Sequence, residues 1–233
     1  MHPGVNSAAT RKGDMAARLR AVMDQHAVWE RIAHSFDRSR SRTWPHVEAF
    51  LGRLAPGLLL DLMCGNGRHS RVAAAAGHRV VALDWSRPLV RLVHARHDAA
   101  AVVGDATRLP FADGSFDACI YVAGLHGLAD AGERAASLAE LRRVLRPGGL
   151  AQVTVWSRDA PRFAALAVPG EPMDVDIPWR ADGHAESRHY HLYTADALRL
   201  ACEQAGLRLE RQEAVAILGD VPDNLVVEVL RPA

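Results

Sequence analysis

Lysine is almost missing from this chain. Lys12 is the only one, and arginine carries nearly all of the positive charge. Any anion bound here is therefore met by planar guanidinium forks rather than by ammonium groups. Cysteine is scarce too. Cys64, Cys119 and Cys202 are scattered and odd in number, which excludes a disulfide framework and any zinc-ligand spacing. A reducing compartment and a cytoplasmic location are expected, with no metal site in the chain itself. Net charge is only +1 at pH 7, which excludes a chain that binds nucleic acid by bulk basicity. No apolar run is long enough to cross a bilayer, and no stretch reads as a secretory signal.

What is there suffices for one domain with a real core: 233 residues, 49% of them hydrophobic. Residues 1–20 mix Gly, Ser, Ala and charge and read as a mobile tail, leaving 21–233 as a single domain. In 21–55, Val28, Ile32 and Phe36, then Val47, Phe50, Leu51 and Leu54, fall at helical spacing and predict two helices. Pro45 suits the first turn of the second, with Thr43 or Trp44 near its cap.

Residues 56–156 carry the densest signal. LLLDLMCGNG (Leu58 to Gly67) runs from a strand into a glycine turn, and RHSRVAAAAG continues as a helix. Gly65 and Gly67 let backbone N–H groups approach a ligand, and the helix adds its positive end. The spacing is neither GxGxxG nor a phosphate loop. It is acidic-x-G-x-G-x-G, with Met63 where the first glycine would stand. A second apolar run ends at Asp84, where a carboxylate can accept two hydrogen bonds from a ribose diol. Trp85 beside it packs on a flat ring or covers the core. A third strand ends at Asp105; a fourth lies in GSFDACIYV; LAELRRVLRPGGLAQVTVW gives a helix, a Pro-Gly-Gly turn and a fifth strand. Helices alternating with apolar runs argue for a parallel sheet covered on both faces.

Asp61 with Gly65 and Gly67, Asp84, GDATRLPF, SFDACI and LRPGG, in this order, resemble the class I S-adenosylmethionine-dependent methyltransferases. The resemblance implies an α/β, doubly wound, Rossmann-like seven-stranded sheet, mostly parallel with one antiparallel strand, and two extra N-terminal helices. LRLERQEAVAIL and NLVVEVL would supply the last two strands, within a substrate-side insertion and C-terminal part spanning 157–233. The implied cofactor is S-adenosyl-L-methionine. Asp61, Met63, Gly65 and Gly67 would cradle its methionine part, Asp84 with Trp85 would meet the ribose, and Asp105 with Ala106 the adenine edge. Ala123, closing the fourth strand, joins this group.

The flanks resemble a narrower group, the tRNA wobble-uridine methyltransferases that esterify 5-carboxymethyluridine. Ile32-Ala33, Phe36, Ser39-Arg40, Trp44-Pro45, IPW (Ile177 to Trp179), RHYHLYTADAL (Arg188 to Leu198) and Asp223-Asn224 carry it. That group has a second histidine where this chain has Gly127, and Trp where it has Leu225. A carboxylate acceptor is already ionised and requires no base, only groups that hold it. Arg40, Arg188, His189 and His191 are the candidate clamps, and His126 a substrate contact or, for a neutral acceptor, a base. RHYHLY alternates, so Tyr190 and Tyr193 could equally be packed and the histidines solvated. Trp156 reads as core or pocket wall, and Trp179 as a base-stacking platform or a loop anchor. Arg38, Arg40 and Arg42 track tRNA phosphates or form a solvated connection. The resemblance further implies a small zinc-binding activator protein on the apolar edge strand Ala99 to Val103. Two other readings stay open: a small-molecule methyltransferase acting on a quinone-like or amine metabolite, and a non-catalytic binding subunit.

Overall fold

The computed structural model describes residues 25–96, 99–166, 172–217 and 219–233, so the tail expected over 1–20 lies outside the described residues. Residues 25–39 form α1. Val28, Ile32 and Ser35 are buried along one side of it, the stripe that seats the helix. Helix α2 (Pro45–Leu51) begins on its proline, where an N–H would have no partner anyway, and buries Val47, Phe50 and Leu51. Trp44 precedes it without a side-chain cap.

Strands β1 (Leu58–Leu62), β2 (Arg79–Asp84), β3 (Ala100–Val103), β4 (Phe116–Val122) and β5 (Leu145–Trp156) pair in parallel. Helices α3 (Arg68–Ala75), α4 (Arg87–Arg96) and α5 (Ala131–Val144) are interleaved with them. After a hairpin of β6 (Met173–Ala181) and β7 (His184–Leu192) come α6 (Ala195–Gln204), β8 (Arg208–Val215) and β9 (Asn224–Leu230). The main sheet runs β3-β2-β1-β4-β5-β9-β8, with β9 antiparallel to both neighbours. That is the expected set of seven strands with one antiparallel. Leu62, Tyr121, Leu138 and Val153 pack on one face of the sheet, and Phe50, Leu59 and Ile120 on the other. No helix of the described residues is long and apolar enough to cross a membrane.

One local expectation changes. The Pro-Gly-Gly segment is not a turn between helix and strand. Leu145 pairs with Phe116 and Leu150 with Ala118, so the residues between bulge out of β5. A Cβ on Gly149 would lie 2.9 Å from the Arg146 carbonyl oxygen, which keeps that position glycine. The segment RHYHLYTADAL is strand only to Leu192; Thr194 then caps α6, its hydroxyl accepting from the Ala197 N–H.

The β6–β7 hairpin stands apart from the main sheet. Asp182 and Gly183 have φ 55° and 76°, the left-handed pair that suits a two-residue hairpin turn to strand twist. Its inner face packs Val175, Tyr190 and Leu192 on Phe163. Arg31 binds Glu186, Arg38 binds Asp182, and the Trp179 indole N–H donates to Ser35 Oγ at 2.9 Å. Those ties fasten the hairpin along α1.

Candidate active site

A cavity of about 650 Å³ opens at the carboxyl ends of β1, β2 and β4, walled on its far side by α1, the 40–45 segment and the hairpin. The glycine loop forms its floor. Cys64 N–H bonds the Leu83 carbonyl, and Gly65 N–H donates to Asp84 Oδ2 at 2.9 Å. The other oxygen of Asp84 takes the Ser86 N–H. Gly65 has φ 58°, and a Cβ there would meet the Phe36 ring at 3.2 Å, so both backbone and space demand glycine. Gly67 is the left-handed residue that turns the chain into α3; it does not line the cavity. Asn66 reaches back to Asp37 Oδ1 and the Arg40 carbonyl, joining the loop to α1.

Met63, where the sequence pattern has glycine, adopts φ 53°. An L residue there carries strain of roughly 1–2 kcal/mol. Its sulfur accepts the Tyr121 hydroxyl at 3.3 Å, and that hydroxyl also bonds Ser137 Oγ. Ala123 at the end of β4 is also left-handed, with φ 55°, and both residues line the cavity. Asp61 takes the Ser70 hydroxyl at 2.5 Å. Burial raises its pKa to about 7, and burial raises Asp84 to about 6.

The opposite wall is basic and aromatic. Arg188 is 5% exposed and donates to the Tyr190 hydroxyl at 2.8 Å. It stacks on Trp179 at 4.6 Å, and its Nε has no partner. Arg40 lies over the other aromatic neighbours, 5.6 Å from Phe36 and 5.7 Å from Trp179. Neither forms an ion pair among the described residues. Burial holds Arg188 below the usual arginine range, with Arg40 adding to the fall.

His126 follows β4 in a short helical turn and is 1% exposed. Its Nδ1 accepts the Trp156 N–H at 3.4 Å, and its ring stacks on Trp156 at 5.1 Å. Burial, with Arg162, His191 and Arg188 nearby, pushes its pKa down to about 3. The ring is therefore neutral with its hydrogen on Nε2, a donor rather than a base.

Several expected residues fall elsewhere. His189 alternates with Arg188 and faces away from the cavity, its Nδ1 3.3 Å from Asp176; His191 likewise pairs with Asp174 at 2.7 Å. Asp105 turns onto Thr107, taking its N–H and hydroxyl at 2.8 Å, and Ala106 is buried in the core, so neither lines the cavity. Arg38 is committed to Asp182. Trp85 does line the cavity, held edge-on by His26. Residues not singled out beforehand also contribute: Arg68, His69 and Trp29. Arg68 directly follows Gly67, so its place at the helix start was the available signal.

A profile described as "Methyltransferase domain" matches residues 60–153. A protein of Encephalitozoon cuniculi named as a methyltransferase is 30% identical over 188 residues, 79% of this chain and 87% of that protein. The tRNA (carboxymethyluridine(34)-5-O)-methyltransferase ALKBH8 of Macaca fascicularis is 40% identical over 135 residues, 58% of this chain. The chain spans only 20% of that protein's length. A Haloferax volcanii chain solved in complex with the Trm112 methyltransferase activator superposes with TM-score 0.69 at 20% identity, covering 91% of this chain and 98% of that one. At that identity the match speaks for the fold alone.

Proposed function

Because the chain belongs to the S-adenosylmethionine-dependent methyltransferases, we propose that it methylates the carboxylate of 5-carboxymethyluridine at the wobble position of tRNA. The observation that carries this is Arg188, a buried guanidinium with an unpartnered Nε in the wall of the cavity that holds the glycine loop. A buried cation without a carboxylate is costly unless a ligand supplies one. His126 points the same way. With Nδ1 taken by Trp156 it offers a hydrogen bond, which suits an anionic acceptor; a neutral hydroxyl or amine would ask for a base.

The residues present fit the cofactor. Asp84 retains lone pairs for a diol, and the left-handed loop presents backbone to the cavity. S-adenosylmethionine supplies an electrophilic methyl on a sulfonium sulfur. The chain's own work is alignment and exclusion of water. Arg188 and Arg40 would grip the acceptor from the hairpin side, and His126 would hold it at the end of β4, leaving one carboxylate oxygen to attack. No proton needs to move.

The tRNA assignment draws on the relatives' printed function and on Arg40 and Arg42 at the cavity wall. A zinc-binding activator would dock on β3, an edge strand of Ala and Val whose Val103 is 42% exposed. The other edge, β8, is protected by the pairs Arg208–Glu210 and Arg211–Glu213. Zinc would belong to the partner, and the complex would work in the cytoplasm.

The test uses methyl-labelled S-adenosylmethionine and tRNA bearing 5-carboxymethyluridine, with and without a co-expressed zinc-binding activator. Label released as methanol in mild alkali is the expected outcome. Alkali-stable label would mean methylation of a base or ribose and would end the ester reading. Cofactor binding without label in tRNA would shift the acceptor to a small molecule.

A further inference from the structure

Away from the hairpin, a further guanidinium on the cavity wall forms no ion pair among the described residues. Arg68 is the first residue of α3. Its guanidinium lies 5.5 Å from the centre of the Trp44 ring. Its Nε is buried without a hydrogen-bond partner, and no ion pair reaches it among the described residues. Burial, with Arg40 nearby, lowers its pKa to about 10. Asp61 lines the same stretch of wall and its charge is felt by Arg68, yet the two form no ion pair. Elsewhere on the wall the acids are committed: Asp84 to loop amides, and Asp223 to Arg162. A carboxylate and a guanidinium side by side, near but unjoined, make a socket for a zwitterion.

We propose that Arg68 holds the α-carboxylate of the cofactor's methionine half, beside the left-handed Met63–Gly65 loop. The assignment rests on the cofactor reading above. S-adenosylmethionine bears one anionic group, and Arg68, directly after the loop, forms no ion pair among the described residues. Arg40 lies near Arg68 as well, but it shares Trp179 with Arg188 and is assigned with it to the acceptor. The positive end of α3 reinforces the site, and the Trp44 ring beside the guanidinium helps hold it in place.

The experiment is calorimetric binding to the full chain of two ligands, S-adenosylhomocysteine and 5′-methylthioadenosine, the second lacking the amino-acid group. It compares the native protein with Arg68→Met, Arg68→Lys and Arg40→Met. The native chain should favour S-adenosylhomocysteine. Arg68→Met should weaken that ligand by about 10- to 100-fold, the range for a lost charged hydrogen-bond pair. Its affinity for methylthioadenosine should be unchanged, which also shows the variant to be folded. Arg68→Lys should restore part of the difference. Equal weakening of both ligands in Arg68→Met would overturn the proposal, as would loss of discrimination in Arg40→Met instead. If the native chain bound neither ligand, the cofactor reading itself would fall, a separate outcome.

Discussion

Trp156 donates its backbone N–H to Nδ1 of His126 at 3.4 Å while its indole stacks on the same ring. One residue thus sets both tautomer and tilt of the histidine. With a folded pKa of about 3, His126 stays neutral across the physiological range. No inflection near 6.5 in the pH profile of kcat should trace to it. His126→Ala should lower kcat/KM by about 10- to 100-fold, the worth of one hydrogen bond to a charged group, with cofactor affinity retained. The sign for stability follows too. Between the unfolded value near 6.5 and about 3, the unfolded chain binds a proton that the folded chain refuses, so stability falls as pH falls through that window. Urea titrations at pH 7 and pH 4.5 check this, His126→Ala showing the smaller difference.

Asp84 predicts a pH dependence of ligand binding. Burial has raised it to about 6, and a diol is best met by the ionised form. Affinity for S-adenosylhomocysteine should fall as pH drops through 6, approaching tenfold per unit from Asp84, with any loss nearer pH 7 belonging to Asp61. Asp84→Asn should bind weakly at every pH and flatten the curve. A flat native curve would show that the ribose does not rely on this carboxylate.

At the hairpin tip, Gly183→Ala meets no steric neighbour but must adopt φ 76°. The strain, roughly 1–2 kcal/mol, falls on the element that carries Arg188. Acceptor KM should therefore rise several-fold with S-adenosylhomocysteine affinity unchanged. A shift in both would mean that the hairpin supports the cofactor half as well.

On the β3 edge, Val103→Lys adds charge where Val103 is 42% exposed. Lysine on an edge strand discourages strand addition. Co-purification with the proposed activator should be lost, while the isolated variant keeps the melting temperature of the native chain. Unchanged co-purification would move the docking surface elsewhere.

The parallel core was legible because each strand announces itself as an apolar run bounded by Asp or Gly, and local periodicity survives into the fold. The hairpin was not, although Asp182-Gly183 between alternating residues is a hairpin signal in its own right. Missing it cost the distinction between Arg188 and His189. Neighbours in a strand point to opposite faces, so one enters the cavity and the other meets Asp176. Asp105 turns away from the cavity for another reason. Its nearest donors are its own backbone two residues on, and a short side chain closes that local ring before it reaches anything distant.

Arg40, Arg68 and Arg188 crowd one cavity with like charge, and none of them forms an ion pair among the described residues. Each lies close enough for Arg40 to depress the ionisation of the other two. Anions that settle there relieve a repulsion that the fold otherwise bears alone, so ligand binding and folding are thermodynamically linked. A loaded chain should resist heat and proteases longer than a bare one. Its lifetime in a cell would then follow the supply of its ligands, a form of control that calls for no dedicated regulatory site.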